Sequence, residues 1–129
     1  DQSEKNPVFY LQYAHARICN TIRYAEKSGV SFTENFNPSL LEHPSELDLI
    51  KTLHNFSEVM ENVLDSLEPQ NISTYLQTLA TKYHKFYADC RVVTEDKSLT
   101  NSRLKLISAV KLVLSNGLGI LGISAPERM

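Results

Sequence analysis

The sequence predicts an all-α fold, a bundle of about five helices, and three observations carry the prediction. Apolar residues recur at helical spacing in several stretches, most regularly between Gln70 and Arg91. Cap and stop residues bracket those stretches. Glycine and proline are scarce, at four and five in 129 residues, and no alternating run of strand length appears.

The first helix is expected from Asn6 to about Lys27. Asn6 is a good N-cap, Pro7 suits the first helical position because it has no N–H to leave unpaired, and Gly29 supplies a stop. Two stripes run along it. Val8, Leu11, His15 (or Ala14), Ile18, Ile22 and Ala25 form a core stripe. Tyr10, Tyr13, Arg17 and Tyr24 share another face, aromatic and cationic. A central helix that buries most of its surface would explain the second stripe. So would a platform on which unpaired bases stack. Pattern alone leaves both open.

Ser28 to His43 has no sustained period and reads as a loop, pinned to the bundle by Phe32, Phe36 and Leu40. A second helix is expected from Pro44 to Asn55, with a capping box over Ser45 to Asp48 and Leu47, Ile50 and Leu53 or His54 inward. A third, Ser57 to Leu67, puts Val59, Met60, Val63, Leu64 and Leu67 on one side. The fourth, about Gln70 to Arg91, carries Ile72, Tyr75, Leu76, Leu79, Ala80, Tyr83, Phe86, Tyr87 and Cys90. A fifth should start at Thr100 or Asn101, after a polar loop, and end at Asn116-Gly117. Its apolar residues surround most of the circumference, which predicts a central position. Gly119 and Gly122 should keep the tail out of helix as far as Pro126.

Composition narrows the function. With 42% hydrophobic residues the chain can bury a core unaided. No apolar run approaches the ~20 residues of a membrane span, and no signal pattern opens the chain. Two cysteines are too few for a disulfide scaffold and suit a reduced, cytoplasmic setting. The net charge of −2 is wrong for a general nucleic-acid binder, but it is unevenly spread. Residues 34–68 hold eight acidic side chains against Lys51 alone, a net −7, which leaves +5 on the remainder. A polyanion should therefore meet the first, fourth and fifth helices and the C-terminus, away from the acidic pair.

Catalytic signatures are missing: no Gly-rich phosphate loop, no Cys-x-x-Cys, no His-x-x-x-His helix. His15 and Cys19 lie four apart on one face, and His84 precedes Cys90 by six. That spacing is poor for a shared zinc, and a histidine and two small buried thiols in the core explain them better. No metal is expected.

Asn6-Pro7-Val8-Phe9-Tyr10-Leu11-Gln12-Tyr13-Ala14-His15-Ala16-Arg17-Ile18-Cys19 resembles the segment of bacterial arginyl-tRNA synthetases that leads into their C-terminal, DALR-type anticodon-binding domain. Further segments follow in the family's order. They are Pro69 to Ile72, Tyr75 to Ala80, His84 to Val92, Arg103 to Leu106, Val113 to Leu118 and Leu121-Gly122-Ile123-Ser124-Ala125-Pro126-Glu127-Arg128-Met129. Ser57 stands where the family often has proline. The resemblance implies a class Ia synthetase domain at 6–129, preceded at 1–5 by a linker from a catalytic domain that is absent here. The start at Asp1 fits an excised piece.

The same resemblance implies recognition of the anticodon loop of arginine tRNA by Tyr13, Arg17, Tyr87, Arg91 and Met129. Lys82, Lys85, Arg103 and Lys105 are candidate phosphate contacts. Some relatives carry another aromatic where Arg91 stands, and Tyr87 is spaced to serve in the core as well. The nucleotide-binding signatures of class I synthetases are missing, so this fragment should not be an enzyme by itself. No cofactor is expected in it, ATP and magnesium acting in the parent arginine–tRNA ligase. The expected partners are tRNA and the chain's own catalytic domain, with the fragment monomeric. A rival reading is a helical protein-interaction module with no RNA role, which would need an exposed apolar patch on the second and third helices. Another is the related domain of cysteinyl- or methionyl-type synthetases, against which the Gln12-to-Arg17 stretch and the Pro126-to-Met129 terminus argue.

Overall fold

The computed structural model describes residues 6–30, 37–66 and 68–129, with only the backbone given for Val63, Leu64 and Ser66. Expectations for Asp1–Lys5, for Phe32 and Phe36, and for the inward side chains of Val63, Leu64 and Leu67 lie outside the described residues. Five α-helices and one 3₁₀ turn make up the described fold, with no strand: α1 (Pro7–Lys27), the turn Pro38–Leu40, α2 (Pro44–His54), α3 (Phe56–Ser66), α4 (Gln70–Asp89) and α5 (Lys97–Ile120).

The hub is α4, which packs against α1, α2, α3 and α5; α5 also packs on α1 and α2. Its periodicity explains this. Ile72, Tyr75, Leu76, Leu79, Ala80, Tyr83 and Phe86 are all buried, at the i, i+3, i+4, i+7 spacing read from the sequence. Each large apolar side chain so buried contributes about 1.5–3 kcal/mol. The central position expected of α5 belongs instead to α4. Leu104, Leu106, Ile107, Val110, Leu114 and Leu118 of α5 face inward, but Leu112 is 61% exposed. Its apolar residues outnumber the space available to them.

On α1, Asn6 caps as expected, its Oδ1 accepting from the N–H of Phe9 at 3.2 Å. Leu11, Ala14, His15, Ile18 and Ala25 are buried, whereas Val8, assigned to the core stripe, is exposed in the first turn. The helix closes at Gly29, φ +84°, with the N–H of Val30 on the carbonyl of Ala25 and that of Gly29 on Glu26. This is a Schellman close.

The register of α2 differs from expectation because its buried face is polar. Ser45, Glu46, Leu49 and Thr52 point inward and Leu47 outward. Each buried polar group has a partner. Ser45 Oγ donates to Asp89, Glu46 pairs with Arg103, and Tyr75 Oη donates to the Thr52 carbonyl at 2.7 Å. The capping box lies two residues earlier than read, from His43 to Glu46: His43 Nδ1 accepts from Ser45 N–H, and Glu46 Oε1 accepts from His43 N–H. In the preceding loop Leu41, not Leu40, enters the core.

The fifth helix is longer than expected at both ends. Asp96 caps it, accepting from the N–H groups of Ser98 and Leu99, while Thr100 and Asn101 are buried inside it. It continues through Gly117, where a Cβ would lie 2.6 Å from Leu76 Cδ1. That glycine lets two helices approach and does not end one. The true stop is Gly122, φ +75°, with Ile123 N–H on the Leu118 carbonyl at 2.8 Å.

Candidate nucleic-acid interface

After Gly122 the tail runs back along α1 and is held there by three of its side chains. Gln12 Nε2 donates to the Ser124 carbonyl at 3.0 Å, His15 Nδ1 to the Pro126 carbonyl at 2.9 Å, and Arg23 to the Glu127 carbonyl at 3.1 Å. The carbonyl can only accept, so Nδ1 of His15 carries its hydrogen. This bonding brings Met129 beside the middle of α1, more than a hundred residues away in the chain.

A depression of about 430 Å³ opens there, lined by Tyr13, Ala16, Arg17, Asn20, Arg23, Tyr87, Arg128 and Met129. Four of the five residues expected to touch RNA thus converge. Three arginines and two tyrosines border the depression, and no Asp or Glu side chain does. Arg91, the fifth, lines a neighbouring cleft of about 720 Å³ with Tyr24, and the two hollows share Asn20 and Tyr87. It does not lie one helical turn beyond Tyr87, as the expected helix end required. The last helical residue is Asp89, Cys90 turns the backbone extended (φ −128°, ψ 131°), and Arg91 follows outside the helix.

Between the helices Arg17 is closely held. Its guanidinium carbon sits 3.8 Å from the centre of the Tyr87 ring and 5.6 Å from that of Tyr13. Its NH1 donates to Nδ1 of His84 at 3.3 Å. Rings extend outward from this point: Phe9 stacks parallel to Tyr13, four residues on, and Tyr13 stacks on His84. Tyr13 and Tyr87 each stay 37% exposed, so aromatic surface remains for a ligand. Tyr10, grouped with them by spacing, turns into the bundle and bonds through its hydroxyl to Thr81. Burial and the neighbouring Arg17 cation hold the His84 imidazole far below its ordinary range, at about 4. Spacing could have drawn attention to His84, three residues before Tyr87 and so on the same face.

The candidate phosphate contacts separate from this surface. Lys82 pairs with Asp48 at 2.9 Å, on the acidic side of the bundle. Lys85 pairs with Asp89 one turn on, at 3.1 Å. Arg103 turns inward to Glu46 at 2.8 Å and to the Arg91 carbonyl at 2.6 Å. Lys105, half-buried on α5, borders neither hollow. Among the described residues no group of three or more His, Cys, Asp and Glu side chains is placed to hold a metal. His15 and His84 have the partners given above, and burial raises both the Cys19 and Cys90 thiols. No helix of the described residues is long and apolar enough to cross a membrane. Among the described side chains of α2 and α3, Leu47 is the large apolar one left exposed.

The sequence pattern of the DALR anticodon binding domain matches residues 11–129. An arginine–tRNA ligase of Salinibacter ruber is 46% identical over 129 residues, all of this chain and 23% of that protein. One of Chlorobaculum tepidum is 49% identical over 132 aligned residues, 99% of this chain and 24% of that protein. Among solved structures, the arginyl-tRNA synthetase of Thermus thermophilus superposes with a TM-score of 0.80 at 30% identity, over 93% of this chain and 21% of that one. The chain thus spans about a quarter of the length of the curated relatives it matches.

Proposed function

The chain belongs to the DALR anticodon binding domain family, and from that premise we propose that it grips the anticodon loop of arginine tRNA through Tyr13, Arg17, Tyr87, Arg91 and Met129. The observation that carries the reading is the convergence of Tyr13, Arg17, Tyr87 and Met129 on one depression bordered by arginines and by no acidic side chain. An anticodon loop presents unpaired bases that can be splayed and stacked. The exposed faces of Tyr13 and Tyr87 offer stacking of roughly 1–3 kcal/mol per base. Arg17 offers donors to a base edge, Arg23, Arg91 and Arg128 offer charge to the backbone, and Met129 offers soft apolar contact.

Within an arginine–tRNA ligase this grip would support ATP-dependent arginylation carried out elsewhere in the cytoplasmic parent enzyme, with ATP and magnesium bound there. The chain itself would act as a monomeric tRNA-binding fragment attached to its catalytic domain. The direct test is titration of the 129-residue chain with arginine-tRNA anticodon stem-loops, unaltered and with the central anticodon base replaced, at two salt concentrations. Affinity that drops when the base is replaced supports an anticodon reader. Weak binding indifferent to that base opposes it.

A further inference from the structure

We propose that His84 is a positioning residue: by accepting a hydrogen bond from Arg17 it fixes the guanidinium plane and turns a mobile cation into a directional reader of one base. The proposal rests on the anticodon-loop reading above. Arg17 is held from two sides, by the Tyr87 ring at 3.8 Å and by Nδ1 of His84 at 3.3 Å. Arginine only donates, so Nδ1 must be the bare nitrogen and the hydrogen must sit on Nε2. Among the described residues Nε2 is buried with no partner. A group whose sole task was to fill space would not be a histidine here. Phenylalanine would fill the same gap between Tyr10, Tyr13 and Tyr83, whose ring centres lie 5.2–5.8 Å away, without an unsatisfied N–H. The imidazole is neutral near pH 7, as acceptance requires.

Fixing the plane changes what Arg17 can do. A free arginine swings toward the nearest phosphate and adds affinity blind to sequence. One clamped flat on a ring, with one donor already used, has its remaining N–H groups in set directions. It then favours a base whose acceptors meet them. No other acceptor for the Arg17 side chain is present among the described hydrogen bonds.

The test is the ratio of affinities of the 129-residue chain for the arginine anticodon stem-loop and for the same loop with its central base replaced. H84F keeps the ring and removes the acceptor. H84N loses the ring but places an amide oxygen where Nδ1 stood. The expected result is that H84F keeps the helical circular dichroism of the wild type while the ratio falls about tenfold, and that H84N restores most of it. In an R17A background H84F should change nothing further. A purely structural role predicts the reverse order, H84N worse than H84F. An unchanged ratio in H84F beside a base-dependent wild type overturns this proposal alone. A wild type without base dependence overturns the anticodon reading, and the proposal with it.

Discussion

Arg103 of α5 donates its Nε hydrogen to Oε2 of Glu46 of α2 at 2.8 Å, and the carboxylate keeps only 1% of its side-chain surface in water. The other oxygen of Glu46 accepts from His43 N–H at the start of α2, and NH1 of Arg103 donates to the Arg91 carbonyl beyond α4. One buried ion pair thus joins three elements. Removing one member strands the other charge, a loss of about 3–5 kcal/mol, whereas replacing both with apolar residues can be nearly neutral. R103M should therefore lower the urea unfolding midpoint sharply, and E46M/R103M should recover most of the loss. If the single variant costs no more than the double, the pair is not acting as a buried couple.

These two residues also mark where the sequence stops being legible. The bundle, the stripe of α4, the Asn6 cap and the Gly29 stop follow from periodicity and cap chemistry. The register of α2 does not, because Ser45 and Glu46 are buried with partners on α4 and α5 and Thr52 with its hydroxyl on the Asp48 carbonyl of its own helix, and pattern assigns such residues to the surface. Arg103 was legible as a cation and not as a buried one, for the same reason. In the site, Tyr13 and Arg17 are four apart on one helix and Tyr87 lies on another. Their meeting depends on how α1 packs on α4, and the arrival of Met129 depends on three hydrogen bonds to backbone carbonyls. Spacing grouped Tyr13 with Arg17; the family resemblance added Tyr87 and Met129, which spacing could not.

The two glycines late in α5 should respond oppositely to alanine. A Cβ at Gly117 would sit 2.6 and 2.7 Å from the methyls of Leu76, itself fully buried and unable to retreat. Overpacking of this kind costs about 1–3 kcal/mol and outweighs a helix-propensity gain of at most ~1 kcal/mol. At Gly119 nothing lies within 4 Å, so the propensity gain stands alone. G117A should melt lower than the wild type and G119A slightly higher. Equal shifts would mean that α5 does not approach α4 closely at Gly117.

For RNA binding, Y13A/R17A should weaken the stem-loop complex about a hundredfold, by loss of stacking and of one charged donor, with the helical circular dichroism kept. Both side chains border the depression and neither is among the fully buried ones. Loss of the helical signal would instead make them core residues. E58K/E61K, on the exposed face of α3, should hardly alter affinity at moderate salt, because those residues belong to the acidic side. A large gain would put the RNA on that side.

Acid should reveal His84 through stability. Its imidazole protonates near 6.5 when unfolded and near 4 when folded, held down first by burial and then by Arg17. The groups facing it are the rings of Tyr10 and Tyr13 from α1 and of Tyr83 on α4, and the Arg17 guanidinium. Between pH 6.5 and 4 the unfolded chain binds a proton that the folded chain refuses, so stability falls as pH falls through that window and is complete above it. The 2.5-unit gap sets a ceiling of ~3 kcal/mol; with part of the ring open to solvent, roughly 2 kcal/mol is expected. H84F binds no proton in either state. Denaturant unfolding of wild type and H84F at pH 7 and at pH 4.5 isolates this contribution, since every other titrating group is common to both chains. The variant should lose less stability on acidification by about that amount. If the two curves stay parallel, the His84 imidazole takes up its proton as readily in the fold as in the unfolded chain, and neither burial nor Arg17 holds it neutral in acid.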